Sequence, residues 1–426
     1  MTVVNNMQYS IVNLSEARNT SNDFLMHAEF FYPKIQKFRK YAKNNNFQKL
    51  ENYVGYVKRG VQPLYSSLGI IPVLKSVNIR EYGITEDRQE YVDESFFKSK
   101  KQSQVNYKDV LLTSTGVGTL GRCLINQNNN KYFIDGHITI LNNLKELLPE
   151  FLYIYLNSKY GQEQINVLYK GSSGQIEIYP DDIKQILIKP LKIQQSIASL
   201  VNTSYALRQS ADELYKEAEN ILLEELGLKN YQPQNKKCFV KMLSDTQKVE
   251  RFDAEYFQPK YEEVDNILRS YKTYYLKDIC SEINYGTVPT SEYTNTTFGT
   301  PYIKGMNLQN LYISEEKLDR IINTDTLSSK VYTKEGDIII SQMGTVADVG
   351  VVSKKQENYI FASFTIRARL CNFDLFDPYY IGLYIQNIAK EYYFYRNIAQ
   401  ASVRQNTDLP TVKNLYIPYI ERRVQS

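Results

Sequence analysis

Tryptophan is absent from the 426 residues, and histidine occurs only twice, at His27 and His137. That is too few for a His-rich metal site. The four cysteines, Cys123, Cys238, Cys280 and Cys371, stand far apart with no CxxC spacing. This argues against a zinc cluster or a disulfide framework and reads as free thiols in an intracellular compartment. No apolar run reaches the ~20 residues of a membrane span, and no N-terminal apolar segment reads as a secretory leader. Charge of one sign is also lacking: 51 Lys+Arg against 47 Asp+Glu leave a net +4. That balance excludes a histone-like tail and says little else about partners.

What remains is a globular composition, 42% hydrophobic and 23% charged, neither disordered nor fibrous. The length suits about two or three domains, each with its own core. The 37 tyrosines read as coding bias and carry no functional message.

The chain repeats itself. His27-Ala-Glu-Phe-Phe-Tyr-Pro-Lys34 returns as Asp253-Ala-Glu-Tyr-Phe-Gln-Pro-Lys260. Gly60 and Pro63 then match Gly286 and Pro289, and Pro72, Lys75 and Asn78 match Pro301, Lys304 and Asn307. Asp109 matches Asp337. Pro149, Leu152 and Tyr155 match Pro378, Ile381 and Tyr384, and Gln175 matches Gln405. A collinear series of this length indicates duplication of a whole domain, with a period far too long for a solenoid.

Each copy has the same coarse layout. A short amphipathic helix carries the Ala-Glu-x-x-x-Pro signature, followed by β-rich runs at Ile70–Leu74 and Pro301–Ile303. Strands are expected at Asp109–Thr113 and Asp337–Ser341, then around Tyr132–Ile140 and Tyr359–Leu370. Helices are expected at Pro149–Leu156 and Pro378–Ile385, and a last short strand ends at Pro190 or Pro418. Short strands, many Gly, Asn and Pro turns and few helices point to an α+β domain with a curled β-sheet.

Between the copies, Ile193 to Leu228 contains no proline and one glycine, Gly227. Ile193, Ile197, Leu200, Leu207, Ala211, Leu214, Ala218 and Ile221 step by threes and fours, with Ser204 interrupting. The pattern is a long helix with a coiled-coil seam, ended by Gly227 and Pro233. Packing on its own domain is the competing reading of that stripe. The expected division is therefore residues 1–192, a spacer helix 193–230, and 231–426.

Several catalytic motifs fail on context. Gly116-Val-Gly-Thr-Leu-Gly121 is a GxGxxG, but the residues after it read as a strand and a hairpin turn, not the helix a dinucleotide site needs. Asp377-Pro-Tyr-Tyr380 is close to the Asp-Pro-Pro-Tyr loop of adenine methyltransferases, yet the repeat aligns it with a plain helix start. Asp182-x-Lys184 is a fragment of a nuclease pattern, has no acid in the second copy, and reads better as a helix cap. No acid, base or nucleophile set recurs, so no catalytic residue and no metal ligand is assigned.

Polar, glycine-rich loops do recur. The first set is Lys75, Ser76, Asn78 and Arg80, matched by Lys304, Asn307 and Gln309. The second is Thr113, Ser114, Thr115, Thr119 and Arg122, matched by Ser341, Gln342 and Thr345. The third is Lys170, Ser172, Ser173 and Gln175, matched by Ser402, Arg404 and Gln405. Lys100 stands in a basic cluster with Lys98 and Lys101. Glycine permits close backbone approach, and these side chains offer donors to phosphates and base edges. Ordinary hydrophilic loops are the plain alternative for any single one of them.

Motif order and duplication together resemble the DNA-specificity (S) subunits of type I restriction-modification systems and related type II specificity subunits. The resemblance rests on Phe252-Asp-Ala-Glu-Tyr-Phe257, Glu335-Gly-Asp-Ile-Ile-Ile340 and Gly118-Thr-Leu-Gly-Arg122. Gly171-Ser-Ser-Gly-Gln175, Ile188-Lys-Pro-Leu191 and Gln194-Gln195 add to it. It implies two target recognition domains, each reading one half of a bipartite double-stranded DNA site. It further implies a helix that sets the spacing and docks adenine methyltransferase subunits, with a motor-nuclease subunit in some assemblies. The resemblance implies no cofactor in this chain, S-adenosylmethionine in the partner methyltransferase, no catalysis by the chain itself, and a cytoplasmic setting. One departure is expected: the sequence after Ile417 shows no second long helix, which the family usually carries. A non-catalytic tandem-domain adaptor that binds protein partners through its coiled coil is the competing function.

Overall fold

A computed structural model of the chain describes residues 28–80, 83–85, 88–171, 174–288, 293–294, 298–316, 318–322, 324, 327–398 and 406–425, together with Ile11, Asn13 and Ser15. The chain divides into two compact units, Met1–Gln209 and Ser210–Ser426, so the division falls within the long helix.

The first unit has two four-stranded sheets. The larger is antiparallel throughout, in the order Val54–Arg59, Ile138–Leu144, Val110–Thr113, Cys123–Ile125. The smaller runs Glu90–Val92, Ile71–Leu74, Tyr132–Ile134, Gln104–Val105, with one parallel pair in its centre. The second unit repeats the larger sheet as Cys280–Tyr285, Thr365–Leu370, Ile338–Ser341, Val349–Val351. In its smaller sheet Thr300–Ile303 again pairs parallel with Ile360–Phe361 and antiparallel with Asp319–Ile321. The duplication read from scattered residues is thus a duplication of strand order and direction.

The central strands explain their own composition. Val110 and Leu112 face the helices with Leu152, Leu156 and Ile165, whereas Leu111 faces the smaller sheet with Leu74 and Ile134. Ile338 and Ile340 likewise pack on Ile381 and Tyr384, and Ile339 on Ile303 and Phe361. A strand covered on both faces reads as a continuous apolar run.

The continuous strands expected over Tyr132–Ile140 and Tyr359–Leu370 are each two strands, in different sheets. At Asp135–His137 the chain leaves the smaller sheet and enters the larger one. Asp135 N donates to Leu74 O at 3.1 Å, and Gly60 N donates to Ile138 O at 3.0 Å. In the second unit Ala362 N donates to Ile303 O at 2.9 Å and Gly286 N to Thr365 O at 3.2 Å. Both stretches are apolar before and after the turn, so periodicity could not mark the switch.

The repeated glycine sits where this crossing turn presses on the neighbouring strand. A Cβ on Gly60 would lie 2.3 Å from Asp135 O, and one on Gly286 would lie 2.2 Å from Phe361 O. A second repeated feature holds the base of the central strand. Asp109 Oδ2 accepts from Asn106 N at 2.8 Å, and Asp337 Oδ2 from Lys334 N at 2.8 Å. The copies differ in what else meets the carboxylate. Asn142 donates to Asp109 Oδ1 at 2.9 Å, whereas Arg369 forms two bonds of 2.7 Å to Asp337.

The helices follow the expected pattern with local corrections. The Ala-Glu-x-x-x-Pro signature precedes its helix rather than lying inside it. Pro33 and Pro259 open Pro33–Asn44 and Pro259–Arg269, where a missing N–H costs nothing. Pro149–Asn157 and Pro378–Tyr384 form as expected. After Ile417, where no second long helix is expected, the chain makes a single turn, Arg422–Gln425, with Gln425 Nε2 donating to Ile420 O at 2.8 Å and Arg422 pairing with Asp377 at 2.8 Å.

The long helix spans Gln194–Glu225, 32 residues, or about 48 Å at ~1.5 Å per residue. Gly227 at φ +67° ends it, with Leu228 N bonding back to Leu223 O at 2.7 Å; this is the left-handed close that glycine favours. Ile197 and Val201 pack on the first unit, and Ala218, Leu222 and Leu226 on the second. The heptad stripe lies largely outside these contacts: Leu200, Leu207 and Leu214 are 72%, 67% and 62% exposed.

Two expectations are open to measurement. Gly286→Ala forces a backbone shift at the crossing turn and should cost about 1–3 kcal/mol, read as a lower urea midpoint. Burial raises the Asp109 pKa above its ordinary value, against bonds from Asn106 and Asn142. The folded state therefore holds that proton more tightly than the unfolded chain. Its contribution falls as pH rises from the ordinary carboxylate range through the raised value. The stability of Asp109→Asn relative to the native chain should accordingly climb as urea melts move from about pH 4, near the usual carboxylate pKa, to about pH 7.

Candidate nucleic-acid interface

At one end of each larger sheet three chain segments meet. The segment after the central strand bonds on one side to the crossing turn and on the other to the segment that succeeds the helices. In the first unit Ser114 N donates to His137 O at 2.8 Å, and Ile178 N donates to Ser114 O at 2.9 Å. In the second, Gln342 N donates to Phe364 O at 3.0 Å, and Thr407 N donates to Gln342 O at 3.1 Å. The second loop set named from sequence therefore borders the segment after the helices in both copies, and in the first copy that segment pairs with Lys170 of the third set through Glu177 N to Lys170 O at 2.8 Å.

The first loop set joins them. Arg122 donates to Ile79 O at 3.3 Å and to Gly118 O at 2.7 Å, tying the loop at 75–80 to the loop at 113–122. In the second unit a Cβ on Gly305 would come within 3.0 Å of Ser341 Oγ. The GxGxxG segment is a run of turns leading into the strand Cys123–Ile125. Gly116, Gly118 and Gly121 all have positive φ there, at +97°, +80° and +83°. Asp182 accepts from Tyr179 N at 3.3 Å and Asp377 from Tyr379 N at 2.8 Å, so both fragments of catalytic motifs serve as helix caps.

The named residues divide by burial. Asn78, Thr113, Ser114, Asn307 and Ser341 are buried. Asn78 Oδ1 accepts from Lys75 N at 3.0 Å and its amide donates to Thr85 O at 2.9 Å; Asn307 Oδ1 accepts from Lys304 N at 2.9 Å. These side chains build the turns. Ser76 is half-buried with its hydroxyl unbonded. Thr119 donates to Thr115 O at 2.8 Å, and Thr115 meets His137 Nδ1 at 2.7 Å. Arg80, Gln175, Gln309 and Thr345 are exposed, and Gln342 is half-buried. Lys170 pairs with Asp182 at 3.2 Å. Lys100 lies over the Phe96 ring at 5.9 Å, just past the helix Glu94–Ser99 rather than in the loop junction. Ser172, Ser173, Ser402, Arg404 and Gln405 lie outside the described residues.

The first unit's junction is ionic in a way the sequence did not reveal. Arg59, at the end of its strand, pairs with Glu177 at 2.5 Å and lies 5.5 Å from the Tyr179 ring. Burial raises the Glu177 pKa, but bonds from Tyr179 and Arg59 outweigh it, and the net shift is downward. Burial raises Asp135, opposed by the His137 N–H and by the charges of His137, Lys75 and Arg59. Arg122 is lowered by burial and by the neighbouring charge of Arg80, which marks two guanidinium groups close together. Arg59 stands beside the repeated Gly60, and that adjacency was the available signal. Among the described residues no group of three or more His, Cys, Asp and Glu could hold a metal ion, and no helix is long and apolar enough to cross a membrane.

Comparison with known proteins finds similarity to one class. Residues 62–220 match the family model described as the type I restriction modification DNA specificity domain. A protein of Haemophilus influenzae named as a type I restriction enzyme specificity subunit is 31% identical over 162 residues, covering 37% of this chain and 38% of that protein. The matched region thus spans well under half of that relative. The resemblance to type I specificity subunits drawn from the motifs is borne out by these matches. Among solved structures, the S subunit from M. genitalium is 14% identical with a TM-score of 0.41, covering 89% of this chain and 86% of that one. The HsdS subunit from Thermoanaerobacter tengcongensis is 12% identical with a TM-score of 0.29, covering 89% and 85%. The fold itself stands on the strand pairings above. Those pairings also tie the second copy to the first, where the family match lies.

Removing a turn-builder should act on stability first. Asn78→Ala leaves the Lys75 N–H and the Thr85 carbonyl without their partner and should cost about 1–3 kcal/mol, seen as a shifted urea midpoint.

Proposed function

We propose that the chain recognises double-stranded DNA by sequence, as the specificity subunit of a restriction-modification assembly. Each unit reads one half of a bipartite site with the end where its three loops meet. The observation that carries this reading is the loop junction, built with the same backbone bonds in both units and rimmed in the first by Arg80 and Arg122. Glycines at positive φ bring backbone to the surface there, and the exposed side chains are donors suited to phosphates and base edges. The family match over residues 62–220 supports it.

The long helix sets the distance between half-sites and docks the methyltransferase subunits. Its exposed Leu200, Leu207 and Leu214 supply the apolar stripe that such docking needs. Methyl transfer, with S-adenosylmethionine, belongs to those partners, and cleavage to a motor-nuclease subunit. The same stripe also suits a tandem-domain adaptor with no affinity for DNA.

Salt separates the two. A specificity subunit should bind duplex DNA with affinity that falls steeply as salt rises; an adaptor should show no such binding. Arg80→Ala should weaken binding to all duplexes about equally and lower the slope of log K against log salt by about one. Fluorescence anisotropy across a salt series reads both.

A further inference from the structure

A pair of side-chain clusters, one per unit, lies on the smaller sheets beside the loop junction. In the first, Lys75 pairs with Glu90 and its Nζ lies 5.6 Å from the centre of the Tyr65 ring. In the second, Lys304 pairs with Asp319 and its Nζ lies 4.5 Å from the Tyr293 ring. The positions correspond strand for strand. Glu90 is opposite Val73 and Asp319 opposite Tyr302, two residues before each lysine. Tyr65 bridges Val92 and Tyr293 pairs with Ile321, two residues after each acid. Burial and the Glu90 charge raise the Tyr65 pKa, and an Asp319 bond helps hold Lys304 protonated despite burial. The acid differs between copies and the tyrosines have no shared motif, so comparison of identical residues finds only the lysines.

Lysine in a DNA-binding loop is ordinarily a phosphate contact. These two are already neutralised. Their carboxylates keep 46% and 42% of their side-chain surface exposed, and a phosphate brought there would meet a negative charge at close range. A base edge suits the arrangement better. In the major groove a G·C pair sets the O6 acceptor of guanine beside the N4 amino donor of cytosine. An ammonium beside a carboxylate offers the complementary donor and acceptor, and the exposed tyrosine ring flanks the pair.

Resting on the DNA-recognition reading above, we infer that the Tyr65–Lys75–Glu90 and Tyr293–Lys304–Asp319 triads are base-reading sites, each taking the edge of one G·C pair rather than a phosphate. The two copies give two fixed G·C positions, one in each half of the target.

The test is selection of duplexes from a randomised pool by the full chain and by Glu90→Gln and Asp319→Asn, followed by anisotropy on the selected duplex at several salt concentrations. The native chain should select a motif with a G·C pair in each half. Glu90→Gln should lose the preference at one of these positions, and Asp319→Asn at the other. Each should weaken the cognate duplex about tenfold or more, while binding to unrelated duplexes does not fall, because the lysine freed of its carboxylate gains attraction for phosphate. Tyr65→Phe serves as a milder second variant, and unchanged thermal melting excludes loss of fold. Retention of the native motif by both variants overturns the triads alone. So does a uniform loss across all duplexes with a changed salt slope, the mark of backbone contacts. A native chain that selects no duplex overturns the DNA reading itself.

Discussion

Each unit depends on one contact: the backbone of the crossing turn laid directly against a glycine of the neighbouring strand. At Gly60 and Gly286 the carbonyls of that turn stand where a side chain would begin. The contact lets a single chain segment serve two sheets within a few residues. Because of it, the smaller sheet's loop at Lys75 or Lys304, the loop after the central strand and the described segment that bonds to it at Ile178 or Thr407 converge. Without that switch the three would emerge at separate places, and no common surface would form.

Around this shared backbone the two copies use different chemistry. The first fills the junction with Asp135, His137, Arg59 and Glu177, whereas the second has Ala362 and Phe364 at the crossing turn. At the base of the central strand the balance is reversed. Asp109 has amides for company, but Asp337 has Arg369 in direct contact and Arg367 3.7 Å away. A buried ion pair is costly to dehydrate and stabilises through good geometry and further bonds. Arg367 gains such bonds from the Tyr332 carbonyl at 3.0 Å and Asn284 at 2.8 Å. The frame tolerates either solution because the backbone bonds that define it are the same.

Much of this was legible in the sequence, for identifiable reasons. Residues with a backbone duty recur identically: Gly60 with Gly286, Asn78 with Asn307, Asp109 with Asp337. The long helix announced itself by heptad spacing, and Gly227 by its place at the end. What stayed hidden depended on pairing across the sheet. The crossing turns lie inside unbroken apolar runs. Glu90 and Asp319 sit 15 residues from the lysines they hold, and only strand register brings them together. Asn78, Asn307, Ser114 and Ser341 looked like surface donors because polar residues in loops usually are. Their burial reflects the tightness of the turns they close.

The separation of turn-builders from exposed neighbours has an evolutionary side. Asn78 is sealed in the structure while Arg80, two residues on, points to solvent. Substitutions at such outward positions usually change stability by no more than about 0.5 kcal/mol. Selection can therefore change the outward face of the loops one residue at a time, without first finding a compensating change in the core. Two copies of the same frame are free to drift toward different surface chemistry while keeping the same backbone bonds.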